Sequence, residues 1–217
     1  MSQAKSEVLA IIPGKGASSR IPGKNLRALG NKPLIAWTIE AALGAKSVSR
    51  TVVSTEDHRV AAVAMAWGAE VVSHPPLDSL PEVPDVCLHV LEELDAQGYR
   101  PDVVVCLLPT SPFRTAEHID AALGLMGRYD VVLSVSQARH HRGLRVHGST
   151  WPMQASRDAE HNGAILIACP FGLAQDGFFN PNGAIAYPML PPAGLDINTE
   201  QDFKYAERIA ARVAVPA

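Results

Sequence analysis

Three cations, three glycines and two serines crowd one short stretch: Pro13-Gly14-Lys15-Gly16-Ala17-Ser18-Ser19-Arg20-Ile21-Pro22-Gly23-Lys24-Asn25. Lys15, Arg20 and Lys24 fall within ten residues, and Ser18 and Ser19 add hydroxyl donors. Glycines let backbone N–H groups approach an anion with no side chain in the way. Ammonium and guanidinium groups bring the charge. This combination suits a triphosphate. Two familiar phosphate signatures fail on spacing. The Walker loop needs four residues between its first glycine and Gly-Lys, then Ser or Thr, whereas Asn25 follows Lys24. The dinucleotide fingerprint needs a third glycine where Ser19 stands, which disfavours a dehydrogenase. An ordinary solvated turn is the plain alternative.

A second group of polar side chains, Arg139, His140, His141, Arg142, Arg145 and His147, gathers between Gln137 and His161 without clear periodicity. Adjacent residues of an extended chain point to opposite faces, so His140 and His141 do not readily share a metal. Cys87, Cys106 and Cys169 lack CxxC spacing and sit in apolar stretches, which reads as buried thiols in a reducing compartment.

The elements that must position these groups alternate along the chain. Val8–Ile12, Arg50–Ser54, Val103–Leu108, Val131–Val135 and Ala164–Ala168 are brief, mostly β-branched or apolar, and bounded by turn formers, so they read as strands. Their continuous hydrophobicity suits burial on both faces. Asp57–Trp67 carries Val60, Val63, Ala64 and Trp67 on one helical face, and Pro84–Ala96 carries Cys87, Val90, Leu91 and Leu94. Near the C-terminus Phe203, Ala206, Ala210 and Val213 form a stripe behind Thr199, whose spacing to Asp202 resembles a capping box. Repeated strand–helix–strand units predict an α/β, three-layer domain with a mostly parallel sheet. The first loop then lies at the carboxyl end of the first strand, where such sheets bind ligands. The 137–161 stretch reads as a short extra lobe or a dimer contact.

Composition bounds the function. The chain has 217 residues, 47% hydrophobic and 19% charged, which predicts a single domain over residues 1–217. A net charge of −3 argues against nucleic acid as a partner. The N-terminal run Val8–Ile12 stops at Pro13, too short for a signal peptide or membrane span, and a cytoplasmic protein with no membrane partner is expected.

At the first loop the chain resembles the acylneuraminate cytidylyltransferases, the CMP-sialic acid synthetase family. The likeness continues at Pro33-Leu34-Ile35, Val53-Ser54-Thr55-Glu56-Asp57 and Leu107-Leu108-Pro109-Thr110-Ser111-Pro112-Phe113-Arg114. It returns at Asn162-Gly163-Ala164-Ile165 and Asp196-Ile197-Asn198-Thr199-Glu200-Gln201-Asp202-Phe203. The blocks occur in family order and span nearly the whole chain. The resemblance implies a Rossmann-like nucleotidyltransferase fold and transfer of CMP from CTP to the anomeric hydroxyl of an acidic 2-keto sugar. Pyrophosphate is released, magnesium is required, and the protein is a homodimer. It implies catalytic roles for Lys24, Lys15 and Asp196. Nucleotide contacts are expected from Pro13, Gly14, Gly16, Ala17, Ser18, Arg20, Asn25, His74 and Thr110. Acceptor contacts are expected from Ser111, His141, Arg142, Arg157 and Asn162, and metal contacts from Asp196 and Asn198.

Each position has a plainer alternative. Lys24 could be a solvated loop cation, Asp196 a helix-entry residue favoured by the dipole, and Thr110 and Ser111 a cap or turn around Pro112. Asn162-Gly163 could be a tight turn. The departures from the family pattern cluster at functional places. Lys15 stands for an arginine, His74 for an arginine, Leu108 for a glutamine used toward substrate, and Asn198 for the second aspartate of an Asp-x-Asp pair. Asp57 is a carboxylate that could compensate. Glu160 stands where another cation is expected. A lobe shorter than the family's, together with Leu108, opens a second reading, CMP transfer to a small phosphonate or other compact anion gripped by Arg139, Arg142, Arg145 or Arg157. Asn198 opens a third, a nucleotide-binding protein without turnover.

Overall fold

The computed structural model describes residues 6–18, 20–74, 82–137, 145–146, 149–150, 159–178 and 184–213. The chain opens with β1 (Val8–Pro13), the glycine-rich loop and a 3-10 turn at Lys24–Leu26. A small hairpin, β2 (Ala28–Leu29) with β3 (Lys32–Pro33), leads into α1 (Leu34–Gly44), β4 (Arg50–Thr55), α2 (His58–Ala66) and β5 (Glu70–Ser73). Next come α3 (Val83–Asp95), β6 (Val103–Cys106), α4 (Ala116–Leu123) and β7 (Val131–Gln137). The short strands β8 (Arg145–Val146) and β9 (Ser149–Thr150) pair with each other. The described residues end with β10 (Ala159–Ala168), α5 (Pro170–Asp176), β11 (Ala184–Pro188) and α6 (Glu200–Val213).

Seven strands form one sheet in the order β11-β7-β10-β6-β1-β4-β5. β1 pairs in parallel with β4 and β6, β4 with β5, and β11 with β7, whereas β10 runs antiparallel to both its neighbours. The mostly parallel three-layer reading is thus the architecture found. Side chains alternate between two cores. Ala10, Ile12, Val53 and Val105 meet the apolar faces of α1, α2 and α4 on one side. Leu9, Ile11, Val104 and Cys106 meet Cys87, Val90 and Leu94 of α3 and Leu173 of α5 on the other. The stripes of α2 and α3 are those expected from spacing; Val213, the last expected member of the α6 stripe, has a side chain outside the described residues.

A third cluster bears directly on the loop. Ile21 of the loop, Leu29 of the hairpin and Ile197 are fully or nearly fully buried against Phe203, Ala206 and Ala210 of α6. Burying one such side chain contributes about 1.5–3 kcal/mol, so α6 fastens the loop and the 196–198 turn to the same base. α6 starts where expected: Thr199 Oγ1 accepts from the Asp202 amide at 3.2 Å while Asp202 Oδ2 accepts from the Thr199 amide at 2.8 Å.

Three expectations shift. The third expected strand ends at Cys106, not Leu108, because the chain turns at Pro109 into the site. The strand expected at Ala164 begins at Ala159, and β7 extends to Gln137, so the sheet takes up both ends of the stretch assigned to a lobe. Glu160, His161 and Asn162 hid that strand because they are polar, and they are polar because they line a cavity. Asn162-Gly163 is accordingly not a hairpin turn but an irregularity within β10, between His161 and Leu166. Gly163 has φ +69°, which favours glycine, and a Cβ there would displace the tip of Leu108, whose Cδ1 would stand 2.6 Å away. No helix among the described residues is long and apolar enough to cross a membrane.

Candidate active site

Two cavities adjoin beyond the carboxyl ends of the central strands. The first, of about 320 Å³, is lined by Pro13, Gly14, Lys15, Ser18, Arg20, Lys24 and Asn25 of the loop, together with His74 and Leu108–Thr110. Glu82, Val83 and Val86 at the start of α3 complete it. Three cations therefore face one carboxylate, with an apolar bed on one side. The second, of about 390 Å³, is lined by Ser136, Glu160, His161, Asn162, the 189–192 segment, Gly194–Asp196, Asn198, Asp202 and Tyr205. Both volumes suit small-molecule ligands.

The loop is held by β4 at several points. Gly14 donates its N–H to the Ser54 carbonyl at 2.8 Å, and its own carbonyl accepts from Thr55 Oγ1 at 2.7 Å. The Gly16 N–H donates to Glu56 Oε1 at 2.8 Å, and Asn25 Nδ2 donates to the Lys15 carbonyl at 2.8 Å. This corrects the physical reason given for the glycines. The N–H groups of Gly14 and Gly16 already have protein partners, and Gly16 is glycine because a Cβ would lie 2.2 Å from Asp57 Oδ2. The loop brings Lys15, Ser18, Arg20 and Lys24 to the cavity. Gly16 and Ala17 fall outside the cavity lining. Ser19 lies outside the described residues.

The two cavities meet at the turn before α6. Lys24 Nζ donates to the Ile197 carbonyl at 2.8 Å, and the Ile197 N–H donates to the Thr110 carbonyl at 2.8 Å. Arg20 Nη1 donates to Asn198 Oδ1 at 2.9 Å, and Asn198 Nδ2 donates to Asp196 Oδ2. Burial lowers Lys24 below the ordinary lysine value; Arg20 and Lys15 push the same way and Asp196 opposes them. Burial raises Asp196 above the ordinary carboxylate value, against the hydrogen bonds from Thr110 and Asn198 and the charge of Lys24. Thr110 is thus tied to Asp196 rather than capping a helix, and α4 is entered at Thr115 instead.

On the second cavity's side, Asn162 is buried and its amide is engaged at both its oxygen and its nitrogen. Its Oδ1 accepts from Ser134 Oγ at 2.5 Å and from the Ala164 N–H at 3.1 Å, while Nδ2 donates to Ser136 Oγ at 2.9 Å. Ser111 is completely buried and donates to the Asn162 carbonyl at 3.2 Å. Ser111 therefore shapes the wall from behind instead of touching a ligand. His74, buried, places Nε2 3.4 Å from Glu56 Oε2, so one carboxylate links the loop amide to a residue of the cavity wall. Asp57 is not a spare metal ligand. It caps α2 by accepting from the Arg59 N–H, and the Arg59 guanidinium holds its carboxyl well below the usual range. Leu108 lines the first cavity, away from the second. His141, Arg142 and Arg157 lie outside the described residues, as does Arg139.

Three contributors escaped sequence reasoning. Arg114 is buried without a carboxylate partner and donates to the Leu108 and Ala164 carbonyls and to Thr38 Oγ1, joining the wall of the first cavity to β10 and α1. Desolvation lowers its pKa to about 9. His161 lines the second cavity, and burial lowers its pKa to about 4, so the imidazole is neutral at pH 7. Glu82 and Val83 were findable, because Glu82-Val83-Pro84-Asp85 carries the cap and early proline of a helix start.

Asp196, with Asp202 nearby, is the residue at the junction that would hold a divalent cation, since magnesium favours one or two carboxylates completed by phosphate oxygens and water. Among the described residues no group of three or more His, Cys, Asp or Glu side chains could hold a metal without such help.

A parallel α/β sheet with a cation-rich loop after its first strand and a second cavity beside it is the nucleotidyltransferase arrangement. The fold is similar to that of the solved CMP:2-keto-3-deoxy-manno-octonic acid synthetase complexed with CTP, which superposes over 96% of this chain and all of its own, with TM-score 0.72 at 16% identity. The cytidylyltransferase family pattern matches residues 9–127. N-acylneuraminate cytidylyltransferase A of Danio rerio is 29% identical over 94% of this chain and 51% of its own length. CMP-N,N'-diacetyllegionaminic acid synthase of Legionella pneumophila is 42% identical over 54% of this chain and 51% of its own. The chain spans about half the length of these two curated relatives. It belongs to the cytidylyltransferase family, as a divergent member similar to the N-acylneuraminate enzymes.

Proposed function

We propose that this protein transfers CMP from CTP to the anomeric hydroxyl of an acidic 2-keto sugar of the sialic acid kind, releasing pyrophosphate. The observation that carries the reading is the meeting of the cation-lined cavity with the second cavity at Lys24, Thr110 and Asp196. A hydroxyl held in the second cavity would attack the α-phosphorus of a nucleotide held in the first. The new oxygen–phosphorus bond forms as the bond to the bridging oxygen breaks, and its electron pair leaves with pyrophosphate. Such transfer depends on alignment and on positive charge near the reacting phosphoryl oxygens. Lys24, fixed by the Ile197 carbonyl, and Arg20, fixed by Asn198, are cations at the junction, and Lys15 stands along the same wall. Asp196 and the neutral His161 are the groups lining the acceptor cavity that can take the hydroxyl proton. Magnesium, when bound at Asp196, supplies further charge to the phosphates.

The described part of the acceptor wall carries Glu160, Asp196 and Asp202 and no lysine or arginine. On family likeness, Arg142, Arg157 and His141 are proposed to grip the acceptor's acid. Transfer to a compact phosphonate is the second reading; Leu108, which helped motivate it, belongs to the nucleotide wall, and a cavity of about 390 Å³ suits the larger sugar. A homodimer is proposed on family likeness. Incubation with CTP, Mg²⁺ and one acid at a time, following pyrophosphate, separates the readings. Release with nonulosonic or octulosonic acids and none with phosphonates is expected. Release with phosphonates alone overturns the sugar reading, and no release with any acid overturns turnover itself.

A further inference from the structure

We infer that the Arg20 guanidinium occupies the oxygen of Asn198, so that the loaded site takes one metal ion, at Asp196, and none at Asn198. The inference rests on the nucleotide reading above. Asn198 stands two residues from Asp196 on the turn that separates the cavities. Its amide is oriented at both ends: the nitrogen donates to Asp196 Oδ2, and the oxygen accepts from the Arg20 guanidinium at 2.9 Å. The oxygen is the atom by which an asparagine ligates a metal. Here it faces a fixed cation instead, and a second divalent ion on it would stand directly against that charge. An aspartate in place of Asn198 would pair with Arg20 and be neutralised by it, so the exchange of carboxylate for amide and the presence of the arginine belong together.

The charge of the nucleotide wall agrees. Lys15, Arg20 and Lys24 oppose Glu82 alone, so protein groups already supply much of the positive charge a triphosphate needs. Arg20 is also the loop cation that reaches a side chain of the acceptor-side turn, and Lys24 reaches that turn's backbone. Both cations thereby sit where the reacting phosphate must lie. Asn198 acts as a positioning residue for Arg20 and for Asp196.

The test counts Mn²⁺ bound to the protein by electron paramagnetic resonance, in the presence of a CTP analogue with a methylene bridge between its α- and β-phosphates. Analogue affinity is measured separately by calorimetry. Wild type is expected to bind one Mn²⁺ per bound analogue, and the double variant Arg20→Ala/Asn198→Asp two. Arg20→Ala alone is expected to keep one Mn²⁺ and to lose at least tenfold in turnover, part of which returns in the double variant at saturating Mg²⁺. Arg20 is exposed, so Arg20→Ala should melt with wild type. Two Mn²⁺ in the wild type, or only one in the double variant, overturns the inference. Failure of the wild type to bind the analogue removes the nucleotide reading itself.

Discussion

Replacing Gly16 by alanine tests how the phosphate loop is held. An added Cβ would stand 2.2 Å from Asp57 Oδ2, 2.4 Å from its Cβ and 2.6 Å from its Cγ. Carbon atoms in contact sit about 3.5–4.0 Å apart, so the overlap exceeds what rotamer adjustment absorbs. The atoms met include Asp57 Cβ, which is fixed to the backbone, so either Asp57 leaves the head of α2 or the loop lifts. The first route loses a helix cap, about 1 kcal/mol. The second breaks the bond from the Gly16 N–H to the Glu56 carboxylate, about 1.5–3 kcal/mol. Either way a loss of about 1–3 kcal/mol is expected, which for a chain of this size lowers Tm by roughly 2–12 °C. Lifting the loop would also weaken CTP binding, read by calorimetry. Asp57→Gly removes all three of these atoms, so in Gly16→Ala/Asp57→Gly the two costs should fall short of their sum by at least about 1 kcal/mol. Strict additivity in thermal and urea melts, or a Gly16→Ala variant that melts with wild type, refutes the packing account.

Lys24→Ala should lower kcat for pyrophosphate release by at least about 10²-fold, the scale on which loss of one charge-stabilising donor is felt, while the melting temperature moves little because the side chain is only half-buried. Because burial depresses its pKa, the alkaline limb of the rate should fall at lower pH than an ordinary lysine allows, and Lys24→Arg should move that limb upward in a pH–rate profile. His161 makes stability fall on acidification. Its folded pKa of about 4 lies below the unfolded value of about 6.5. The unfolded chain therefore takes up a proton first, so stability present above pH 6.5 is lost as pH falls toward 4, by at most about 3 kcal/mol. His161→Gln should flatten this part of the pH–Tm curve; an unchanged slope would remove the assignment.

Much of the nucleotide wall was legible because its chemistry is local. Lys15, Ser18, Arg20, Lys24 and Asn25 are neighbours in the chain, and a loop after a buried strand has to expose them together. The two sheet faces were legible for a similar reason, since Val60, Cys87, Val90 and Phe203 repeat at helical spacing whatever they pack against. The beginning of β10 was not, because a strand that lines a cavity carries polar residues and forfeits the hydrophobic pattern that identifies strands. Arg114 was equally hidden: a buried arginine satisfied by carbonyls looks, in sequence, like any surface cation.

By itself the sequence determined the fold class, the cationic character of the first loop and the family. Tertiary structure decided which groups are available. Whether the amides of Gly14 and Gly16 are free, whether Asn162 can reach a ligand, and whether Asn198 offers its oxygen to a metal all depend on partners supplied by distant segments. Arg20 and Asn198 are 178 positions apart, and Lys24 and Ile197 are 173 apart. A residue's type limits what hydrogen bonds it can make, but its remaining capacity is known only once folding has brought those partners within bonding distance.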